Sequence, residues 1–193
     1  MSFNLQELDY KTLVALHNCV CPALTWAAWM LATVSWAGGC GWLIVLVLWR
    51  GGHRRFAAQL ALSLVSGLAL TELLKHLFHR ARPAVVYPYL INLPLPDLGQ
   101  DRYSFPSAHS VVAGAFASVV ICNCRDWRGW LAVAIAVLIG AARVYQGMHW
   151  PSDVAAGWLL GVAAGAIAVR LGRFLPGNAA LAEAPGRQES PEE

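Results

Sequence analysis

The sequence predicts an all-α, membrane-integral bundle of six helices with its reactive residues at the outer ends of those helices, and three observations lead there. Of 193 residues, 58% are hydrophobic and only 13% charged, against roughly 45–50% apolar and about 25% charged in a soluble domain. The mean hydropathy is +0.50. Several apolar stretches approach the roughly 20 residues that span a bilayer, and the scarce polar residues gather in three clusters at their ends.

The elements follow in chain order. Residues 1–11 set Glu7 and Asp9 against a single Lys11, the wrong charge for the n-region of a secretory signal. The first apolar span is therefore expected to stay in the mature protein. Leu13–Trp49 is long for one span and short for two, and Gly38-Gly39-Cys40-Gly41 interrupts it. It reads as two short spans with a turn at those glycines. Residues 56–76, 109–124, 129–146 and 151–171 supply four more. In the last of these, Gly157, Gly161 and Gly165 form a small-xxx-small ladder. Such a ladder lets helices approach closely, here within one bundle in preference to a dimer interface, and the oligomeric state stays open. The membrane domain is expected over residues 1–175, and 176–193, poor in large apolar residues, as a disordered cytoplasmic tail.

Basic residues in the short loops set the orientation. Arg50, Arg54 and Arg55, then Arg125 and Arg128, then Arg170 and Arg173 fall on one side, which is therefore cytoplasmic. The three polar clusters face the opposite, outer side. Trp26, Trp29, Trp49, Trp127, Trp130 and Trp150 suit interfacial belts. A net charge of +3 argues against nucleic acid as a partner. Cys19, Cys21, Cys40, Cys122 and Cys124 lack the spacing of a zinc or redox pair and read as small lipid- or bundle-facing residues. The segment 84–105 is long for a loop, as binding segments and lids tend to be. Pro88, Pro94 and Pro96 stiffen it, and Tyr87, Tyr89, Leu90, Ile91 and Leu93 are placed on the membrane surface.

The clusters carry the chemistry. Pro106-Ser107-Ala108-His109 opens the fourth span, and the first backbone N–H groups of Ser107, Ala108 and His109 are expected to point outward as an anion site. His149-Trp150-Pro151-Ser152-Asp153 opens the sixth. Trp150 precedes proline and is biased away from helix, which leaves His149 just outside and Asp153 in the first turn. From there a carboxylate reaches back toward an imidazole N–H, as in a capping box, leaving the other ring nitrogen as an aimed nucleophile or base. Lys75, Arg82 and Arg143 lie at the outer helix ends, either snorkelling or holding an anion. Arg80 and Arg102 read as surface or lipid-headgroup contacts. Jointly, two helix N-termini, three cations and two histidines on one side suit phosphoryl transfer without a metal or cofactor.

The same residues resemble a known family. Lys75-x6-Arg82-Pro83, Pro106-Ser107-Ala108-His109 and Ala142-Arg143-x5-His149-x3-Asp153 match, in order and spacing, the three motifs of the type 2 phosphatidic acid phosphatase superfamily, which shares its site with vanadium haloperoxidases. The resemblance implies that His149 attacks phosphorus to give a phosphohistidine, Asp153 orients it and His109 protonates the leaving oxygen. It implies that Lys75, Arg82, Ser107, Ala108 (through its N–H) and Arg143 bind the phosphate. Ala108 stands where the family has glycine, and Ala142 where it has serine, which removes one possible hydroxyl contact. The substrate types implied are phosphatidic acid, phosphatidylglycerophosphate and undecaprenyl diphosphate, in a bacterial inner membrane, with selection assigned to the 84–105 loop. Three rivals stand beside this reading: vanadate-dependent halide oxidation, a non-catalytic lipid-phosphate binding or transport protein, and a metal hydrolase using His109, His149, Asp153 and Asp97 or Asp101.

The orientation is directly testable. A reporter fused after Arg173 should read cytoplasmic, and a cysteine replacing Asp97 should react with an impermeant reagent added outside intact cells. Labelling only after permeabilisation would reverse the topology.

Overall fold

The computed structural model describes residues 4–34, 39–91, 103–124 and 126–175. Among these residues the regular structure is helical: α1 (Leu5–His17), α2 (Pro22–Val34), α3 (Gly39–Arg50), α4 (Arg54–Phe78), the single turn α5 (Pro83–Val86), α6 (Ala108–Cys124), α7 (Trp127–Tyr145) and α8 (Pro151–Leu171), with a 3-10 turn at Gly172–Phe174. One isolated antiparallel bridge joins Ala81 to Tyr103. The four spans expected from 56 onward correspond to α4, α6, α7 and α8. α2 and α3 divide the 13–49 stretch around residues 35–38, which lie outside the described set. Three helical segments, Arg54–Phe78, Trp127–Tyr145 and Pro151–Phe174, are long and apolar enough to cross a bilayer.

Helix α1 was not anticipated. Its sequence is only weakly apolar, because most of its residues stay exposed and only Asp9 and Leu13 are buried. Asn4 caps it by accepting from the Gln6 N–H at 3.1 Å, and Asp126 caps α7 likewise from the Arg128 N–H at 2.9 Å. Helix α4 ends where His79 takes the left-handed conformation, φ 47°, and returns its N–H to the Lys75 carbonyl. This reversal swings residues 80–82 back over the bundle end.

Helix α6 is the central element, packed against α4, α7 and α8. Small side chains make this possible. Ala113 and Ala117 meet Ala132 and Ala136 of α7, and Leu60 and Leu64 of α4 close on Val119. The α6–α8 contact is closer still. A Cβ at Gly157 would lie 2.7 Å from the Ser107 carbonyl oxygen, one at Gly165 would lie 2.7 Å from the Ser118 Cβ, and one at Gly161 would collide with the Val111 carbonyl. The glycine ladder is thus occupied inside the bundle, as expected. At the end bearing the basic loops, Gln59 accepts from Asn123 at 2.9 Å and donates to the Val169 carbonyl at 3.4 Å, tying α4, α6 and α8 together.

Some placements differ from expectation. Trp26, Trp127 and Trp130 are exposed as belt residues should be, but Trp150 is 8% exposed and packs beside Leu13, Val144 and Val154. Ile91 is buried against Gly147, where a Cβ would collide with its side chain, rather than lying on the membrane surface. Leu90 packs beside Trp150, Tyr87 stacks edge-on against Trp150 and Tyr89 is fully exposed. Leu93, Asp97, Asp101, Arg102, Arg125 and the 176–193 tail lie outside the described residues.

The backbone contact makes a prediction. Gly161→Ala should destabilise the protein by about 1–3 kcal/mol through overpacking and lower activity, because α6 must move off α8. Gly39→Ala, whose added methyl meets nothing within 4 Å, should leave thermal unfolding in detergent nearly unchanged.

Candidate active site

Two helix starts and two chain reversals build the site. Trp150, in extended conformation (φ −74°, ψ 152°), is the cap of α8, and Pro151 is its first helical residue, as its sequence requires. His149 therefore lies just outside the helix. Pro106 stands two residues before the first helical residue of α6, Ala108, and Ser107 provides the first helical carbonyl, accepting from the Val111 N–H at 3.0 Å.

The Ser107 N–H does not point outward as expected. It donates to the Asp153 carbonyl at 3.2 Å, because the glycine contacts press the two helix starts together. Ala108 is then the first helical residue of α6, and its N–H has no carbonyl within its own helix. The positive ends of two helix dipoles converge at this point. Ser107 is fully buried, and its Oγ accepts from Ser110 Oγ at 3.1 Å.

His149 is 2% exposed. Its Nδ1 lies 2.8 Å from the Ser104 carbonyl, and since a carbonyl only accepts, Nδ1 carries the hydrogen. The lone pair of the neutral ring is thus on Nε2, which faces Arg82 Nη1 at 3.4 Å. The orienting acceptor is Ser104, not Asp153. A carboxylate in the third helical position is aligned with the cap N–H, and Asp153 Oδ2 accordingly accepts from Trp150 N at 2.9 Å, leaving 3.9 Å to His149 Nδ1. The Ser104 carbonyl was illegible in the sequence, being main chain. It is set by Ser104 N donating to the Arg80 carbonyl at 2.8 Å and its Oγ bonding the Arg80 and Ala81 carbonyls.

The three cations do not snorkel: Lys75, Arg82 and Arg143 are 8%, 2% and 7% exposed. Arg82 donates to the Met148 carbonyl at 3.0 Å. Arg143 donates to Gln146 Oε1 at 2.8 Å, and Gln146 in turn donates to the Ala28 carbonyl of α2 at 3.0 Å. Lys75 Nζ lies 3.4 Å from Glu72. Gln146 was not singled out from the sequence. Ala142 is buried beside Ala28 and Tyr145, so its methyl serves the α2–α7 contact. Arg80, 28% exposed, is more than a surface contact: it bridges Asp9 of α1 and Asp153 of α8, Nη2 to Asp9 Oδ2 at 2.6 Å and Nη1 to Asp153 Oδ1 at 2.5 Å.

Burial, together with the charges of Arg82 and Arg143, holds the His149 pKa well below the usual histidine value; the Ser104 carbonyl opposes this, and His109 adds to it. His109 lies at the half-buried start of α6. A neutral imidazole with its free lone pair directed into buried cations can attack an electrophile that those cations hold. The ring nitrogens face a guanidinium and a carbonyl, an arrangement that suits an anion better than a metal ion.

The shift has a sign in pH. A nucleophile with a lowered pKa stays neutral as pH falls through 6.5, histidine's ordinary value. The acid limb of kcat/KM, corrected for the substrate's own ionisation, should therefore lie below pH 6.5. An acid limb at or above 6.5 would remove His149 as the group that must be neutral.

Comparison with known proteins identifies the family. The family model described as the PAP2 superfamily matches residues 56–175. The chain is 36% identical over 109 residues to an undecaprenyl-diphosphatase of Sulfolobus acidocaldarius, covering 56% of this chain and 51% of that protein. It is 36% identical over 126 residues to a putative undecaprenyl-diphosphatase, YbjG, of Escherichia coli, covering 62% and 60%. The matches thus span about half to three fifths of these relatives. Among solved structures, a transmembrane PAP2-type phosphatidylglycerolphosphate phosphatase from Bacillus subtilis superposes with a TM-score of 0.69 at 22% identity, covering 91% of this chain and 90% of that one. That likeness speaks for the fold. With the matched region holding all three motifs, the chain belongs to the PAP2 superfamily.

Proposed function

We propose that this protein is a membrane-integral lipid phosphatase that hydrolyses lipid phosphomonoesters or diphosphates through a phosphohistidine on His149. One observation carries the reading: the Ser104 carbonyl fixes Nδ1–H of His149 and leaves the Nε2 lone pair directed at the buried Arg82. Lys75, Arg82 and Arg143, with the start of α6 at Ser107 and Ala108, hold the phosphoryl oxygens. His149 Nε2 forms the bond to phosphorus as the bond to the lipid-side oxygen breaks, and His109 gives that oxygen its proton. Water then attacks phosphorus as the bond to His149 Nε2 breaks, His109 takes the water's proton, and inorganic phosphate leaves with His149 neutral again. Asp153 supports the imidazolium-like charge of the transition state at 3.9 Å.

In this reading α2, α3, α4, α6, α7 and α8 are six membrane helices, residues 1–175 form the catalytic unit, and the site opens to the outer leaflet of a bacterial inner membrane. The basic loops at the opposite end favour that orientation. Two relatives at 36% identity carry names that favour an undecaprenyl diphosphate-type substrate, and a third at the same identity is named a lipid A 1-phosphatase. Phosphatidic acid and phosphatidylglycerophosphate present the same phosphoryl oxygens to the same cations.

Phosphate release from a panel of these lipids, with the purified protein in EDTA, tests the proposal. Full activity in chelator with the highest rate on the polyprenyl diphosphate is expected; loss in EDTA with rescue by a divalent cation would overturn it. Histidine variants divide the roles. His149→Ala should be dead on all substrates. His109→Ala should lose about 10²–10⁴-fold on lipid substrates but recover much of that on a p-nitrophenyl phosphate, whose leaving group needs no proton. Equal loss on both would withdraw the acid role from His109.

A further inference from the structure

Helix α1 lies outside the family match, and most of its residues are exposed, yet it buries a carboxylate. Asp9 is 1% exposed. Placing a charge there costs several kcal/mol unless it is paired and hydrogen-bonded, and the partners of Asp9 all lie beside the active site. Its Oδ1 accepts from Ser152 N at 2.9 Å, and its Oδ2 accepts from Ser152 Oγ at 2.5 Å and Arg80 Nη2 at 2.6 Å. The other arm of the same guanidinium, Nη1, donates to Ser152 Oγ at 2.7 Å and to Asp153 Oδ1. Trp150 covers the guanidinium face at 5.3 Å and anchors its own ring through Nε1 to the Ala81 carbonyl at 2.9 Å.

We infer that Asp9 and Arg80 are positioning residues of the active site: Asp9 fixes Arg80, and Arg80 holds Asp153, and through it the start of α8 that bears His149, in the geometry of attack. The inference rests on the phosphoryl-transfer reading above. Its chemistry requires arginine, since only the planar fork can serve two carboxylates with separate arms. The outer side of the chain borders a cavity of about 290 Å³ lined by residues including Gln6, Tyr10 and Tyr87. The cavity leaves part of the Arg80 side chain, 28% exposed, open to solvent. Arg80 is therefore distinct in task from Arg82, which faces His149 Nε2 directly.

A mere staple for α1 would show the same contacts, so the test must read electrostatics. Around His149 stand Arg82 after α4, Arg143 on α7, His109 on α6 and Asp153 on α8, with Arg80 behind Asp153. Without Arg80, the Asp153 carboxylate 3.9 Å from His149 Nδ1 loses its pairing cation, and while it is ionised it favours the imidazolium.

The experiment is steady-state kinetics per folded molecule on the full-length protein in detergent, with lipid diphosphate as substrate. Arg80→Gln should lower kcat on the order of 10²-fold, as small misplacements of reacting groups do, with KM little changed. Its acid limb should move up by about one pH unit or more. Arg80→Lys should return the limb toward its original position without restoring kcat. Asp9→Asn should lower kcat tenfold or more in the parent protein but add little to Arg80→Gln, because the two act in one chain. An unmoved acid limb with additive losses would overturn the inference and leave a structural staple. If Arg80→Gln does not fold, the isosteric Asp9→Asn decides, and an unchanged kcat per folded molecule would overturn it. His149→Ala is the control: activity surviving there would refute the underlying phosphoryl-transfer reading, whereas a dead His149→Ala beside unaffected Arg80 and Asp9 variants would refute this inference alone.

Discussion

The close approach of α6 to α8 is the constraint on which the site depends. Gly157, Gly161 and Gly165 leave no room for a side chain against the α6 backbone, and the approach ends in the Ser107 N–H bonded to the Asp153 carbonyl. Two helix N-termini are thereby fixed side by side, an arrangement whose like dipole ends repel unless something negative lies near them. An oxyanion ligand and the Asp153 carboxylate both answer that need. The residues of the second and third motifs meet because small residues let two backbones touch, not because loops happen to fold toward each other.

Around that junction the structure collects buried cations and keeps each oriented. Arg82 is held by the Met148 carbonyl and Arg143 by Gln146, which is anchored on α2. These charges, together with burial, keep His149 neutral, which a nucleophile requires. In the proposed mechanism, the positive field that would bind a phosphoryl group also prepares the group that would attack it. In that mechanism no proton need be removed before attack, because the Nδ1–H bond to the Ser104 carbonyl leaves the lone pair on Nε2. Arg80 belongs to a different circuit, balancing two carboxylates behind the reacting nitrogen.

Much of this was legible in the sequence, for identifiable reasons. Apolar length placed α4, α6, α7 and α8 within two residues at each end, and Pro151 and Trp150 marked the start of α8 because their backbone preferences are strong. The spacing of Lys75, Arg82, His109, Arg143, His149 and Asp153 pointed to one cluster. What escaped had no periodic or side-chain signature. Helix α1 is too polar to read as a span, and Asp9 looked like a terminal charge until Ser152 and Arg80 were seen around it. The acceptor for His149 is a main-chain carbonyl, which any residue at position 104 would possess. Asp153 was assigned to the imidazole by analogy with capping, whereas the capping geometry itself directs its carboxylate to the Trp150 N–H. Arg80 was read as a surface residue because nothing in the local sequence shows that the chain reverses at His79.

The central claim is that Nε2 of His149 forms the bond to phosphorus, and the most direct measurement is the site of covalent phosphate. Protein mixed briefly with substrate labelled in its transferable phosphoryl group, quenched in alkali and mapped by peptide mass spectrometry should carry phosphate on His149, with the chemical stability of the Nε2 isomer. Phosphate on Nδ1, on His109 or on no residue at all during rapid turnover would contradict the account.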